Sequence, residues 1–278
     1  YPYRCPYCRD AGVCNLNCAD DLERVIEQEG ADSIAAFIAE PILGTSCCGL
    51  TPPMDYFVRI REICDRHDIL MIVDEVVTGF GRTGLNFGIE HFGVVPDIMA
   101  TGKGLSSGYT PIAATVVSDE VYDAIYQKQR SFVHGHTYGG NPLSCAVALA
   151  VQDYIDAHDL VENCRRMGER MLEKLKPLKG NPIVGAVRGM GLLTGVEFVA
   201  DKETRAPFPV EQGVTAAIVE GVMARKVLIM PGAPGLVDGV AGDHVAISPP
   251  FTVSEEQVDE TVRVVIEAVD ETAKALGY

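Results

Sequence analysis

Residues 31–118 contain several short, continuous apolar runs, and between the first two runs lies a segment with the apolar spacing of a helix. Runs without polar alternation are typical of strands that are covered on both faces in a parallel sheet. The runs 34–39 and 69–73 flank a segment in which apolar residues recur every three or four positions, as on one face of a helix. Two further runs follow at 98–100 and 113–117. The pattern predicts strand–helix–strand units in an open, mostly parallel α/β sheet.

Helical patterns dominate on either side of this region. Asp20 and Glu23 stand in capping-box spacing and predict a helix that ends at Gly30. Residues 142–178 have the periodicity of long helices, and Gly-punctuated strands begin near Ile183.

The last segment has the pattern of an amphipathic helix. Ser254 and Gln257 stand in capping-box register ahead of a one-sided apolar stripe. We therefore expect the chain to end in a capped helix that packs on a core.

Charge and hydropathy exclude several functions. The chain has 278 residues, with 23 Lys and Arg against 39 Asp and Glu, a formal net charge of −16. Such a charge repels nucleic acid and anionic membrane surfaces. No apolar stretch approaches the ~20 residues needed to cross a bilayer. We expect a soluble, cytoplasmic protein without a nucleic-acid or membrane partner.

Four of the nine cysteines lie close together near the start of the sequence. Cys5, Cys8, Cys14 and Cys18 follow the spacing C-x2-C-x5-C-x3-C, which could wrap a thiolate-bound metal ion. The second half of this spacing departs from a standard metal knuckle, and a cytosolic setting disfavours disulfides. Reduced thiols in a surface loop are therefore the expected state, and we assign no metal ligand.

Two residues suited to catalysis follow neighbouring apolar runs. Asp74 ends the run 69–73, at the carboxyl edge where open α/β sheets bind ligands. An aspartate at a loop start also bonds to its own backbone, which is the alternative role. Lys103 follows the next run, between small residues that leave room for a bulky planar group; an ordinary surface lysine is the alternative. The spacing predicts that both side chains lie at one edge of the sheet.

The residues around Asp74 and Lys103 resemble a known family. Residues 72–84 (IVDEVVTGFGRTG), then PDI at 96–98 and TGKG at 101–104, resemble the signature of class III pyridoxal-phosphate-dependent aminotransferases. Further matches, in the family's order, are AEPILG at 39–44, HTYGGNPL at 136–143, VRGMGL at 187–192 and SPPF at 248–251. The resemblance covers nearly the whole chain past residue 20.

The resemblance implies an architecture. The expected fold is α/β, with a fold-type I PLP-transferase large domain that is partial and has a mostly parallel sheet, followed by a smaller C-terminal α+β domain. We expect a Cys-rich arm over 1–18, the partial PLP-binding large domain over 19–180 and the small domain over 181–278.

The resemblance also implies roles for individual residues. Lys103 would form a Schiff base with the aldehyde of pyridoxal 5'-phosphate and then move a proton between substrate and cofactor. Asp74 would pair with the pyridine nitrogen and so keep the ring an electron sink, and Val76 would press on one face of the ring. Thr137 would reach the cofactor phosphate of the neighbouring subunit, which implies a homodimer with shared active sites. Glu40 would lie beside the cofactor.

Three positions depart from the family's pattern. Val77 stands where many members have a glutamine that donates to the cofactor's phenolic oxygen. Thr45 and Ala246 replace a glutamate and an arginine that members using 2-oxoglutarate often carry. Without that guanidinium, bidentate capture of a substrate carboxylate is lost there, which favours pyruvate or another monocarboxylic acceptor.

The matched part begins inside the family's large domain. It lacks the family's Gly-Ser-rich turn for the cofactor phosphate and the aromatic ring that stacks on the cofactor. We therefore expect these 278 residues alone to bind pyridoxal phosphate weakly or not at all.

The sequence thus predicts a PLP-dependent transaminase that moves an amino group from an ω-amino acid or amine to a 2-oxo acid. One alternative keeps the cofactor and changes the outcome, as in aminomutases, decarboxylases and phospho-lyases. The other alternative is a truncated or split-gene chain that is inactive without its N-terminal part, or a Cys-bound structural module.

Overall fold

The computed structural model describes residues 1–8 and 13–278, so residues 9–12 of the Cys-rich arm lie outside the described part. Its first sheet contains four strands in chain order. They are β1 (Ala36–Ala39), β2 (Leu70–Asp74), β3 (Ile98–Thr101) and β4 (Ala114–Val117). The first three pair in parallel, and β4 pairs antiparallel with β3. The predicted mostly parallel α/β sheet is confirmed, and its last strand turns back because the preceding connection contains no full crossover helix.

Two helices pack on this sheet, α1 (Asn17–Glu29) and α2 (Tyr56–His67). The helical spacing predicted for α2 is confirmed, since Phe57, Ile60, Ile63 and Cys64 are buried on one side of the helix and face one core. That core consists of buried side chains from both helices and from the sheet: Ile26, Phe57, Ile60, Ile63, Met71 and Val73.

Two details of this region differ from the sequence prediction. Helix α1 begins earlier than Asp20, because the backbone N–H groups of Ala19 and Asp20 already bond to the carbonyl of Leu16. The Asp20 carboxylate is therefore not a cap and instead accepts from Arg59 Nε at 2.7 Å. Strand β1 is not covered on both faces, since Ile38 is 63% exposed.

Three helices follow β4: α3 (Asp119–Gln129), α4 (Pro142–Ala157) and α5 (Leu160–Leu175). The start of α4 is set locally, because the Asn141 side chain accepts the backbone N–H groups of Leu143 and Ser144 and Pro142 needs no N–H partner. The loop between α3 and α4 is exposed throughout residues 131–140.

The second sheet is antiparallel and has four strands, in the order Val184–Met190, Leu193–Phe198, Asp243–Ile247 and Met230–Pro231. Its elements are β5 (Val184–Met190), β6 (Leu193–Phe198), α6 (Val214–Ala224), β7 (Met230–Pro231), β8 (Asp243–Ile247) and α7 (Glu255–Ala275). Helix α7 begins with the predicted capping box of Ser254 and Gln257. Helices α5, α6 and α7 cover this sheet and share one core with it. The three-part division of the chain predicted above stays a prediction.

In the described part of the chain, no helix is both long enough and apolar enough to span a bilayer.

Candidate active site

The carboxyl ends of β2 and β3 lie side by side. Asp74, the last residue of β2, is in register with Ala100 of β3. The backbone N–H of Glu75 donates to the carbonyl of Ala100 at 2.8 Å, which continues the pairing past the strand end. Asp74 Oδ1 accepts the backbone N–H of Val76 at 2.9 Å. This bond holds one carboxylate oxygen and leaves Oδ2 without a donor among the described residues.

Lys103 comes two residues after the end of β3 and lies against the loop that follows β2. A side chain at Gly102 would touch Val76, whose Cγ1 lies 3.7 Å from the ideal Cβ position. On its other side, Gly104 lies close to Phe80, at 3.2 Å from the ideal Cβ position to the Phe80 Cβ. The glycines around the lysine thus allow two loops to approach closely.

The backbone of Lys103 is in the left-handed region, with φ of +34°. That region costs a residue with a side chain roughly 1–2 kcal/mol. Such conformations persist where the surroundings hold them, and they are concentrated at functional sites. The Lys103 side chain itself is exposed.

Lys103 faces two adjoining cavities. The first, called the site cavity here, has a volume of about 310 Å³. Its lining comes from both sheets: Gly44, Thr45, Val77, Gly79, Arg82, Lys103, Gly104, Leu193, Met230, Ala246, Ser248 and Phe251. The second cavity, of about 780 Å³, also includes Arg82 and Lys103 and extends along α4. The lysine therefore stands where the two sheets meet, next to enough space for a small-molecule ligand.

Glu40 follows β1 and holds the loop that enters the site cavity. Its carboxylate accepts the backbone N–H of Gly44 at 2.9 Å. Gly44 in turn lies against Val77, whose Cγ1 is 2.7 Å from the ideal Cβ position, so a larger residue would not fit. Glu40 thus acts on the loop next to the site, and its carboxylate is already engaged.

The second sheet holds the same loop from the other side. The Arg188 guanidinium donates to the carbonyl of Cys47 at 2.9 Å, and His244 Nε2 lies 3.0 Å from the carbonyl oxygen of Ser46. Together these contacts place Thr45 on the cavity wall with Ala246. All three positions that depart from the family's pattern, Thr45, Val77 and Ala246, therefore line the same space.

Thr137 is not brought to this site. It lies in the exposed loop between α3 and α4, and it is absent from the lining of both cavities that contain Lys103. Of the five residues predicted to bind the cofactor, Asp74, Val76 and Lys103 lie at one sheet edge and Glu40 lies behind its neighbouring loop.

Arg82 lines the site cavity, and the sequence reasoning assigned it no role. Its Nη1 donates to the carbonyls of Leu192 at 3.1 Å and Pro249 at 2.7 Å. Its guanidinium lies 4.5 Å above the centre of the Phe251 ring. Burial lowers its pKa from the usual range. No sequence signal marked this role, because the carbonyls that Arg82 bonds belong to Leu192 and Pro249, which only the fold brings next to the Gly-rich run 79–84.

Glu75, beside Asp74, is fully buried and serves the fold around the site. Its carboxylate accepts the hydroxyl of Thr78 and the backbone N–H groups of Gly88 and Ile89. Burial raises its pKa, although these three bonds act in the opposite direction. The two adjacent carboxylates thus differ in environment, and only Asp74 has an oxygen left for a ligand.

All nine cysteines lie in the described part of the chain, and each is a free thiol. Within residues 1–8 and 13–278, no three His, Cys, Asp or Glu side chains are grouped as a metal ion requires.

A lysine and an aspartate lie at one edge of the mostly parallel first sheet, where it meets the antiparallel second sheet. This arrangement defines a small-molecule site of the kind that open α/β proteins carry. Comparison with known proteins identifies the family. Residues 2–269 match the sequence profile of class III aminotransferases. The chain belongs to the class III aminotransferase family.

Individual relatives agree with this assignment. The chain is 42% identical over 259 residues to an uncharacterized aminotransferase, YodT, of Bacillus subtilis (strain 168). The aligned part is 93% of this chain and 58% of that protein. It is also 42% identical over 247 residues to gamma aminobutyrate transaminase 3, chloroplastic, of Solanum lycopersicum. Here the aligned part is 88% of this chain and 46% of that protein. The chain therefore spans about half the length of these relatives.

Solved structures share the fold. An amine transaminase from an uncultivated Pseudomonas species, in its PLP-bound form, superposes with a TM-score of 0.89 at 39% identity and covers 98% of this chain and 60% of its own. A transaminase from the marine bacterium Virgibacillus gives a TM-score of 0.87 at 39% identity, covering 93% and 58%. The predicted fold class is confirmed.

Proposed function

We propose that the protein is a pyridoxal-phosphate-dependent transaminase that moves an amino group from an ω-amino acid or amine to a 2-oxo acid. The observation that carries the proposal is the placement of Lys103 at the sheet edge that ends in Asp74. Strand register pairs Asp74 with Ala100, and Gly102 lies against Val76. Membership of the class III aminotransferase family supports the same chemistry.

The residues present fit the aromatic part of the cofactor. At the strand end, Asp74 has a carboxylate oxygen to which no described residue donates. Val76 offers an apolar surface beside Gly102, and Lys103 supplies a primary amine next to open space. When bound, pyridoxal phosphate supplies an aldehyde and an electron-accepting ring. The chain's own contribution is to hold that ring in one orientation.

Each residue then has a defined task. The Asp74 carboxylate accepts a hydrogen bond from a protonated ring nitrogen and so favours the charged ring, as a nearby anion does for any cation. Val76 keeps water from one face. The Lys103 amine takes a proton from the substrate carbon and returns one, which requires its neutral form.

The cavity wall favours a monocarboxylic acceptor. The charged residues in the lining given above are Lys103 and Arg82, and Arg82 already donates to two carbonyls. Thr45 and Ala246 add no charge, while Val77, Leu193 and Met230 make the wall apolar. A second carboxylate on the acceptor would be desolvated there without a cationic partner, which is costly. We therefore propose pyruvate or a similar acid ahead of 2-oxoglutarate.

We also propose that two copies of the protein share their active sites. Large apolar and aromatic side chains are exposed together over residues 109–154, among them Tyr109, Phe132, Val133, Tyr138 and Leu143. Such concentrations mark protein contact surfaces. Thr137 lies in the same segment, which suits a role in the partner's site rather than in its own. Light scattering on the purified protein tests the dimer.

The reducing cytoplasm is the proposed location. Nine free thiols suit a compartment in which disulfides are disfavoured.

Reductive labelling of Lys103 tests the proposed function. Because these 278 residues alone are expected to hold the cofactor weakly, the protein is incubated with excess pyridoxal phosphate and treated with borohydride, which fixes a transient imine. The digested peptides are then mapped by mass spectrometry. We expect the added mass on the peptide that contains Lys103. The variant Lys103→Ala should lose the label, whereas Lys274→Ala, at an exposed lysine of α7, should keep it.

Equal labelling of many surface lysines in all three proteins would contradict the proposal. A second assay offers an amine donor with pyruvate or with 2-oxoglutarate and follows the products. Faster turnover with 2-oxoglutarate would overturn the proposed acceptor class but not the role of Lys103. Products of decarboxylation or elimination would favour the alternative chemistries.

A further inference from the structure

Arg82 is a largely buried cation without an anionic partner in residues 1–8 and 13–278. Its Nη1 donates to the carbonyls of Leu192 and Pro249, which are neutral acceptors, and no described carboxylate pairs with it. The buried Arg188, by contrast, pairs with Glu197. Burial lowers the pKa of Arg82, and no described Asp or Glu acts against this. Because a guanidinium removed from water without a counter-ion is costly, an anion that binds beside Arg82 gains a strong partner.

The other edge of the Arg82 guanidinium is open. The N–H groups of Nε and Nη2 have no acceptor among the described residues. Neither nitrogen belongs to the described polar atoms that are both buried and without a partner, so both reach open space. The Nε–H and one N–H of Nη2 form the planar fork that matches the two oxygens of a carboxylate. Arg82 therefore keeps a complete carboxylate-binding edge after its bonds to the fold.

This edge belongs to the same space as Lys103. Arg82 and Lys103 both line the site cavity and the larger cavity along α4. Phe251 also lines both cavities, and the guanidinium lies 4.5 Å above the centre of its ring. The stacking and the bonds to two carbonyls fix the plane of the guanidinium before a ligand arrives. Such preorganisation lowers the entropic cost of binding.

The charge of the two cavities favours an anion. Among the described residues, their linings contain the cations Arg82 and Lys103 and no Asp or Glu, and Asp74 lies outside both linings. The chain as a whole has a net charge of −16. A small anion is therefore repelled by most of the surface and attracted to these cavities.

We propose that the Nε and Nη2 edge of Arg82 binds the carboxylate of the 2-oxo acid or amino acid substrate through two hydrogen bonds. This inference rests on the proposed transaminase function and makes Arg82 a specificity-determining residue. An acid held there by its carboxylate extends its carbonyl carbon into the space that Lys103 also lines. Ala246 on the same wall offers no guanidinium, and one arginine serves one carboxylate, which agrees with the proposed monocarboxylic acceptor.

The test titrates the full chain, without cofactor, with pyruvate and follows the arginine Nε–H resonances by nitrogen-15 NMR. The Arg82 resonance is assigned by its loss in Arg82→Lys. We expect this resonance to shift saturably with pyruvate and to stay in place with pyruvamide, which has a similar shape but no charge. The resonance of Arg24, an exposed arginine that pairs with Asp21, should not shift with either compound.

Calorimetry on variants supplies a second measurement. Arg82→Lys keeps the positive charge but lacks the fork, and we expect it to bind pyruvate about tenfold more weakly or worse. Arg24→Ala should bind pyruvate as tightly as the wild type does. The NMR titration of the wild type does not depend on the stability of either variant.

A resonance of Arg82 that does not shift saturably, or that shifts equally with pyruvate and pyruvamide, would overturn the proposal. Tighter binding of inorganic phosphate than of pyruvate would overturn it as well, because the edge would then suit a phosphate group rather than a substrate carboxylate. Neither measurement uses cofactor or turnover. Their failure therefore leaves the labelling of Lys103 unaffected, and failed labelling of Lys103 leaves the carboxylate site intact.

Discussion

At the scale of single residues, the Glu197 carboxylate connects distant parts of the chain. It is fully buried and accepts from Tyr1, from Arg4 at 2.5 Å and from Arg188. The two arginine side chains are 17% and 9% exposed. Because Arg188 also bonds to Cys47, this buried ion cluster adjoins the loop that forms the cavity wall.

Replacing Glu197 should destabilise the protein strongly. Glu197→Ala leaves two largely buried guanidinium groups without their anion, and breaking such a pair costs about 3–5 kcal/mol. Urea unfolding followed by circular dichroism measures the change. The control is Glu260→Ala, which removes an exposed partner of Arg263 and should shift the midpoint far less. Equal shifts for the two variants would contradict this account of the cluster.

The buried Glu75 should make stability depend on pH. Its folded-state pKa is raised above the ordinary value of 4.5, chiefly by burial, so the folded protein binds more protons than the unfolded chain just above pH 4.5. Its contribution is therefore complete below pH 4.5 and is lost as pH rises through the folded pKa. We expect the free energy of unfolding of the wild type, relative to Glu75→Gln, to fall over that window. A difference between the two proteins that does not change with pH would refute the assignment.

At the scale of elements, helix α5 approaches the turn between β5 and β6 with no space between the backbones. A Cβ at Gly168 would lie 2.2 Å from the carbonyl carbon of Gly191. Gly191 itself has φ of +55° and lies against the carbonyl of Arg82. The glycine in α5 is therefore required by packing, although glycine weakens a helix.

Gly168→Ala separates these two effects. The added methyl gains up to about 1 kcal/mol of helix propensity but collides with backbone, and overpacking costs typically 1–3 kcal/mol. We expect net destabilisation in thermal and urea unfolding. Gly180→Ala is the matched control, since no atom of the described residues lies within 4 Å of its added Cβ. A stabilised Gly168→Ala variant would show that propensity prevails over packing.

At the scale of the whole molecule, Arg82 links the two sheets. It belongs to the loop after β2, yet its bonds go to Leu192 and Pro249 and its guanidinium stacks on Phe251. The site cavity lies between the same parts of the chain. Its shape therefore depends on this contact.

Loss of the Arg82 side chain should loosen that connection. Arg82→Ala leaves the carbonyls of Leu192 and Pro249 without this donor. Leu192 is buried, and an acceptor left unpaired in a buried position costs about 1–3 kcal/mol. Hydrogen exchange should rise in residues 251–253, which follow two prolines that have no amide hydrogen, and near Leu192. Little change is expected in α1 and α2. Arg82→Lys should exchange faster than the wild type and more slowly than Arg82→Ala, because an ammonium group keeps the charge but lacks the planar guanidinium that bonds two carbonyls. The exposed Arg24→Ala is the control, and a uniform rise in exchange across the chain would argue against a local link.

Part of the site could be predicted from the pattern of apolar and polar residues alone. Asp74 and Lys103 each follow an apolar run, and parallel strands bring their carboxyl ends to one edge. The capping box at Ser254 was accessible for the same reason, since it depends on residues three positions apart. The start of α1 was misplaced, because Asp20 had a partner in α2 that local spacing does not reveal.

Local order along the chain therefore determined the parallel strands, the helix α2, the final helix and the shared edge of Asp74 and Lys103. The tertiary structure alone decided that Thr45, Arg82 and Ala246 line one cavity, that Glu197 joins Arg4 to Arg188, and that Thr137 lies outside the site. The physical reason is the separation along the chain of the residues that interact. Periodicity and caps depend on residues close in sequence, whereas cavity walls and buried ion clusters are formed by distant segments that only packing brings together.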